Sequence, residues 1–465
     1  MYAMKNFLYF ALIAGAPTAA WAQQSTSVVW MQQSPLYGTA RYNGSAGALA
    51  ALGGDGSSSL ENPALMNSST FGGMELSGHL RNDWGDLKSQ GGGFGQAYLA
   101  GSWRINSQTR MSLGLAYQRD AWYPNYWIQT EMNPSQSAVA QWVSASNGFS
   151  PAQLLELGKY DAYVAYMGYL TEVGSGNSYT AYADGLPNIR QTRYMREYER
   201  TSWSLPVALK TDKFALGLRL ERRDGRSQER LSLNESGFNP AGVTASYRKM
   251  VVDSTRWGQW TVRLGVALQA TPSLRLSAAV QPGTMARVQW DYRNRITPTA
   301  TNPESNLTPF ELYDEQTFSY QLPAQVQVGA AQTVASRGAI CAVWTYTGAV
   351  NAVISEPLDY YELGRELASE LRTHHQVRIG GEYRATEQWT LRGGYQWSES
   401  GTEFADHSAF QLLGLGAGYQ ERDWGFDVAY QVTARTGSIK NPATHEDWAL
   451  NTLNQRLSAT YKVRF

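Results

Sequence analysis

The chain has 465 residues with 39 basic and 39 acidic side chains and only 17% charged residues, a balance that gives no footprint for nucleic acid. A single cysteine, Cys341, excludes an internal disulfide framework and is read as a small residue in an apolar run. Tyr 28 and Trp 16 are high counts beside a negative mean hydropathy, which excludes a bundle of apolar membrane helices but suits strands that meet lipid along one face.

Residues 1–22 read as an export signal. Lys5 supplies the positive start, Phe7 to Ala16 the apolar stretch, and Ala20-Trp21-Ala22 a small-x-small cleavage site. The apolar run falls short of the roughly 18 to 20 residues that a spanning helix needs, so removal ahead of Gln23 is expected. Residues 23–70 follow as a separate unit. From Tyr37 to Met66 the chain reads YGTARYNGSAGALAALGGDGSSSLENPALM, rich in Gly, Ala and Ser and without the period of a lipid-facing strand. Leu49, Leu52, Leu60 and Leu65 give this segment an apolar side, the composition of a plug.

Residues 71–465 alternate with a period of two. Met111, Leu113, Leu115 and Tyr117 share one face, as do Phe214, Leu216, Leu218 and Leu220, then Trp260, Val262, Leu264, Val266 and Leu268. Trp389, Leu391, Tyr395 and Trp397 repeat the pattern, followed by Trp424, Phe426, Val428, Tyr430 and Val432. Strands are expected near 72–80, 94–105, 108–119, 200–210, 213–223, 257–269, 273–283, 318–330, 337–348, 374–385, 387–398, 408–420, 423–434 and 454–465. Short and long links take turns between them, the longest an outer loop over 120–199 with short helices. Short turns at one rim and long loops at the other are how membrane barrels are built. The expected fold is all-β, a transmembrane antiparallel β-barrel of about fourteen strands with an N-terminal hatch plugging the lumen.

In the long loop, Ser150-Pro151 reads as a helix start and Asp161 as the cap of a second helix. Tyr163, Tyr166, Met167 and Leu170 on that second helix are candidates for an apolar groove that captures ligand, against the simpler reading of a face packed on the rim. Charges recur on the inward side of the strands at Arg263, Arg275, Arg378, Glu382, Arg392, Arg456, Lys462 and Arg464, where they pair with one another or with a plug. The last strand alternates through Leu457, Ala459, Tyr461 and Val463 to Phe465, and so resembles the signal read by the barrel-assembly machinery of bacterial outer membranes.

Gly53-Gly54-Asp55 and then Asn62-Pro63-Ala64, just ahead of the first barrel strand, resemble the hatch of FadL-type transporters of long-chain fatty acids and other hydrophobic compounds. The stretches GGEYRATEQWTLRGGYQWS from Gly380 and GLGAGYQERDWGFDVAYQ from Gly414 resemble the family as well, whereas the outer loops match it poorly. The resemblance implies a barrel in the outer membrane of a Gram-negative bacterium, surrounded by lipid, that takes up a small hydrophobic molecule passively. It makes Gly53, Gly54, Asp55, Asn62, Pro63 and Ala64 the gating residues, with Leu49, Leu52, Leu60 and Leu65 beside them as candidate ligand contacts. It also implies a groove among the outer loops and a sideways opening in the wall.

Two other functions compete. A lipase needs a nucleophile beside a histidine, and Gly44-Ser45-Ala46-Gly47 lacks the G-x-S-x-G spacing, so no enzymatic activity is expected. FadL-like barrels also serve as accessory subunits of the type IX secretion system, which leaves a secretion-system partner as the alternative to transport. His374-His375, after a helix expected near Tyr360–Leu371, reads as polar loop, and no cofactor or metal is expected.

Overall fold

A strand that meets lipid on one side must send alternate side chains to opposite faces, and the chain obeys this along its whole membrane-spanning part. The computed structural model describes residues 38–68, 72–85, 89–183, 185–302, 307–335, 337–348, 372–401, 409–440 and 447–465. The expected export signal and the helix expected near Tyr360–Leu371 lie outside the described residues.

The strands are β1 (Gly73–Gly85), β2 (Ser89–Arg104), β3 (Arg110–Met132), β4 (Thr171–Val173), β5 (Tyr179–Ala181), β6 (Ile189–Lys210), β7 (Phe214–Ser236), β8 (Thr244–Gln269) and β9 (Leu274–Gln281). They continue as β10 (Thr284–Ala300), β11 (Phe310–Leu322), β12 (Gln325–Val334), β13 (Gly338–Thr347), β14 (His374–Arg384), β15 (Trp389–Ser398), β16 (Phe410–Gln420), β17 (Trp424–Lys440) and β18 (Asp447–Arg464). Strands β4 and β5 form a small ladder of their own, and the others make one antiparallel sheet. The sheet closes through β1 on β18 and β8 on β9. Because β9 with β10, and β11 with β12, are each one wall strand broken once, the barrel has fourteen strands.

Lipid contact is written in the exposed side chains. On β8, Trp260, Val262, Leu264, Val266 and Leu268 point outward, with Leu264 48% exposed, while Thr261, Arg263, Gly265 and Ala267 between them are buried. The span from Trp260 to Leu268 matches the roughly 9–11 residues that a tilted strand needs to cross a bilayer. Aromatic rings mark both boundaries. At the short-turn rim Trp389, Tyr419, Trp424 and Tyr461 follow one another at 5.2, 5.6 and 6.4 Å between centroids. At the outer boundary Phe94, Tyr117 and Trp203 do so at 6.1 and 4.9 Å, with Trp260 nearby on β8. The barrel therefore spans a membrane by its strands; among the described residues no helix is long and apolar enough to do so.

Above the outer girdle the phase of the alternation reverses. On β10 the buried residues include Val288, Trp290 and Tyr292, while Arg287, Arg293 and Arg295 are exposed. Two breaks accompany the reversal. Inward positions run Ser277, Ala279, Gln281 on β9 and then Ala286, Val288 on β10, so one residue is slipped at Pro282-Gly283; the same slip separates Leu322 from Gln325 at Pro323-Ala324. Proline has no N–H to give the ladder, and a slip of one residue turns every later side chain to the other face. The strand expected over 318–330 is thus two strands, and the segment expected as an outer loop over 120–199 is strand at both ends, to Met132 and from Ile189. Outside the bilayer the outward face is polar, so these extensions carry no lipid signature in the sequence.

Replacing Leu264 by Lys should destabilise the barrel by about 2–4 kcal/mol in lipid vesicles, whereas Lys at Ser254, on the same face above the girdle, should cost about 1 or less. Urea unfolding of both variants in vesicles checks this; equal losses would remove the distinction between belt and head.

Candidate functional site

The N-terminal segment fills the barrel as α1 (Ala40–Gly44), a 3-10 turn over Ala48–Ala51, α2 (Gly56–Glu61) and a second 3-10 turn over Pro63–Ser68. Gly53 and Gly54 have φ of 78° and 100°, a region closed to most side chains, and so turn the chain sharply into α2. Asp55 caps α2 by accepting from Ser58 N at 2.8 Å, and its other oxygen takes Arg41 Nη1 at 2.9 Å. The Gly-Gly-Asp step is therefore a turn, a cap and an ionic anchor in consecutive residues.

Asn62-Pro63-Ala64 fastens the hatch to the wall. Asn62 Nδ2 donates to the carbonyls of Val266 on β8 and Ala278 on β9, at 3.3 and 3.1 Å, and Asn62 Oδ1 accepts from Ala64 N at 3.1 Å. The wall is made of small residues where the hatch lies on it. A Cβ at Gly217 would fall 2.2 Å from Ala64 N, and one at Gly394 would fall 2.0 Å from the Ser45 carbonyl oxygen. Opposite, Ala40 N donates to Thr460 Oγ1 at 2.7 Å and Asn43 Nδ2 to Ser458 Oγ at 2.8 Å, both on β18.

Two ionic latches join hatch and wall. In the first, Arg41 also meets Glu382 at 3.0 Å; Glu382 meets Arg392 at 3.3 Å, Arg392 meets Asp427 at 2.6 Å, and Asp427 meets Lys462 at 2.7 Å. In the second, Glu61 takes Arg378 Nη1 at 2.8 Å, the Tyr42 hydroxyl on the same oxygen, and Gln327 Nε2 at 2.9 Å on the other. Burial acts most strongly and raises the Glu61 carboxyl, but the charge and hydrogen bond of Arg378, with the Tyr42 hydroxyl and the Arg263 charge, together outweigh it and hold the group below its ordinary range. Arg263 and Arg275 donate to the hatch carbonyls of Glu61 and Leu52 at 3.0 and 2.6 Å, and Arg219 to that of Leu60. Several of the inward charges legible in the sequence thus hold the plug.

The hatch leucines pack against the wall. Leu49, with Leu52 beside it, lies against Ala331, Cys341 and Val343; Leu60 meets Tyr98, Ala116 and Ala208; Leu65 meets Ala215 and Ala267. The loop residues lie elsewhere. Helices α3 (Ala138–Ser146), α4 (Pro151–Glu156) and α5 (Tyr160–Met167) sit in the outer head, α5 against β10 and β11. Ser150 caps α4 as its sequence suggests, but α5 starts one residue before Asp161, whose carboxylate pairs with Lys249 and accepts from Asn294 Nδ2 at 2.7 Å. Leu170 is buried with Trp142 and Ile296, Tyr163 stands edge-on to Phe310 at 5.9 Å, Tyr166 edge-on to Tyr179 at 6.0 Å, and Met167 is half-buried at the end of α5. Hatch and loop candidates belong to separate clusters.

Between them lies an aromatic wall that sequence reading did not single out. Trp257, Trp290, Tyr292, Phe318 and Tyr320 face inward from β8, β10 and β11, with Trp290 stacked on Tyr292 at 5.5 Å and its indole N–H donated to Asp253 at 2.9 Å. The signal was present in alternations such as Phe318, Tyr320 and Leu322, whose face is set by the slip at Pro323. The wall also has a seam. Pairing of β2 with β3 runs from Arg104↔Arg110 to Gln96↔Gln118 and stops there, although β2 goes on through Gly95 to Ser89 and β3 to Met132. Beside the seam is a narrow cleft lined by Asn43 of the hatch, His79, Gly95, Gln118, Asp120 and Arg200 among others.

Replacing Gly394 by Ala should lift α1 from its socket, so that limited proteolysis cuts the hatch while the barrel keeps its compact gel mobility; an unchanged digest would refute the socket. Because the folded Glu61 pKa is depressed, its contribution is complete above the ordinary carboxylate range and is lost as pH falls through the lower folded value. Hatch proteolysis should therefore rise on acidification, and Glu61→Gln, which leaves Arg378 unmatched at a cost of about 3 kcal/mol, should make the hatch sensitive already at neutral pH.

No protein-family model and no curated protein matches the chain. Solved structures do. A FadL homologue from Pseudomonas aeruginosa aligns with a TM-score of 0.54 at 14% identity, over 92% of this chain and 98% of its own. The toluene transporter TodX of P. putida aligns with a TM-score of 0.54 at 12% identity, over 93% and 99%. The monoaromatic hydrocarbon channel CymD aligns with a TM-score of 0.52 at 12% identity, over the same shares. The chain thus has the fold of the FadL-type barrels, a fourteen-stranded membrane cylinder with its N-terminal segment inside.

Proposed function

We propose that this chain is an outer-membrane channel of a Gram-negative bacterium for passive, hatch-gated uptake of small hydrophobic molecules, the class that includes long-chain fatty acids and monoaromatic hydrocarbons. The observation that carries the reading is the hatch: a lumen-filling segment held by hydrogen bonds and ion pairs, below an inward-facing aromatic wall. A water-filled pore is no help to such a molecule, since each Å² of apolar surface resists entering water by roughly 25 cal/mol. Trp257, Trp290, Tyr292 and Phe318 instead line an apolar interior above the plug, and Tyr163, Tyr166 and Met167, partly exposed on α5 with Leu170 buried behind them, are the entry to it. Movement of the hatch around Gly53-Gly54-Asp55 and Asn62-Pro63-Ala64, with its leucines Leu49, Leu52, Leu60 and Leu65, then opens the way down. The seam between β2 and β3, which opens above Gln96 at the level of Phe94 and Tyr117, is the sideways exit, at the outer boundary of the bilayer.

A cross-link tests the gate. An ideal Cβ at Gly329 falls 2.9 Å from Cβ of Ala51, close enough for a disulfide after a small adjustment. With Cys341 replaced by Ala, the pair Ala51→Cys and Gly329→Cys should abolish uptake of a radiolabelled fatty acid and of toluene in cells lacking other transporters for them, and reduction should restore it. Uptake by the oxidised protein at the reduced rate would end the hatch-gating reading.

A further inference from the structure

Just above the outer girdle the external face of β7, β8 and β10 carries a cluster of arginines whose layout the wall itself does not explain. Arg226 on β7 lies directly opposite Arg256 on β8, and both are exposed. One rung nearer the membrane, Arg287 on β10 is paired across Gly258 with Asp224, and one rung below that Arg222 lies opposite Trp260, with its guanidinium 5.8 Å from the indole ring. Two carboxylates serve this patch: Glu199, shared by Arg119 and Arg226 at 2.7 Å each, and Asp224, taken by Arg222 at 2.5 Å. Arg256 and Arg287 have no ionic partner among the described residues. Like charges directly opposite each other on neighbouring strands are unfavourable, so the pairing of Arg226 with Arg256 calls for an anion from outside the chain.

We propose that Arg226, Arg256 and Arg287 form a binding site for the phosphate groups of an anionic membrane lipid. Neighbouring strands lie about 4.8 Å apart and successive outward residues about 6.7 Å apart, so the three side chains reach a common phosphate-sized space. Guanidinium forks bind phosphate oxygens bidentately and remain charged at every physiological pH. The lipid origin of the phosphate follows from what lies beneath: Trp203, Trp260, Leu220 and Val262 are exposed on the same face and meet acyl chains, so one molecule touches both the arginines and the belt. A free anion has no use for the apolar half of this surface.

The test uses the full chain in an uncharged detergent, with native mass spectrometry reading retained lipid. The probes are a bisphosphorylated glucosamine-disaccharide lipid, the same lipid without phosphates, and inorganic phosphate as competitor. The triple variant Arg226→Gln, Arg256→Gln, Arg287→Gln should lose about a hundredfold in affinity, roughly fivefold for each basic side chain at a lipid surface. A control with the same change in charge farther from the girdle, Arg248→Gln, Arg293→Gln, Arg295→Gln, should bind as the unaltered protein does. The lipid without phosphates should be retained no better by the unaltered protein than by the triple variant, and millimolar inorganic phosphate should not displace the phosphorylated lipid. Should the triple variant fail to give the compact gel mobility of a folded barrel, Arg256→Gln alone is expected to lose about fivefold. Undiminished binding by the variants, equal loss in the control, equal retention of the phosphate-free lipid, or displacement by inorganic phosphate would each overturn the proposal.

Discussion

A closed sheet has only two faces, and what touches each face changes along the axis of this barrel. In the bilayer the outer face must be apolar and the inner face may carry Arg263, Arg378 or Glu382; beyond the girdle water lies outside and the apolar residues must turn inward. Strand β8 makes the change gradually, keeping one parity while Trp260 gives way to Arg256 outside and Arg263 to Trp257 inside. The next two wall strands, β9 with β10 and β11 with β12, make it abruptly through the slips at Pro282-Gly283 and Pro323-Ala324. Everything in the head, including the aromatic wall and the packing of α3 and α5, depends on that exchange of faces.

The hatch poses the opposite problem, because a plug must fit closely without being fused to the wall. Backbone lies on backbone where Gly217, Gly394 and Gly414 face Ala64, Ser45 and Asn43, so contact is intimate but offers few side chains to interlock. Hold comes instead from ion pairs and hydrogen bonds at Arg41, Glu61 and Asn62, interactions that water or a shifted partner can replace.

Much of this was legible in the residues. Strands whose outward residues meet lipid, such as β7 over Phe214 to Leu220 and β15 over Trp389 to Ser398, show their period plainly because the bilayer enforces it. The hatch declared itself by its small residues, and Gly53-Gly54-Asp55 by a turn that needs glycine. What did not show were the extensions of β3, β6, β7 and β8 and the strand β10, where Arg, Gln and Asp outside alternate with Val, Trp and Tyr inside and mimic a soluble sheet. Nor did sequence place Glu61 against Arg378 or Asn62 against β8 and β9, since those partners lie hundreds of residues apart along the chain and only closure of the barrel brings them together.

That separation bears on how the molecule is made. The cylinder is sealed by a ladder from Gly73↔Arg464 to Gly85↔Thr452, and α1 is tied by Ala40 and Asn43 to the same strand β18. The first residues of the sheet thus wait for the last, with a loop closure spanning nearly the entire polypeptide. Plugging and sealing become one late event, and a chain halted before β18 has neither a shut wall nor a seated stopper.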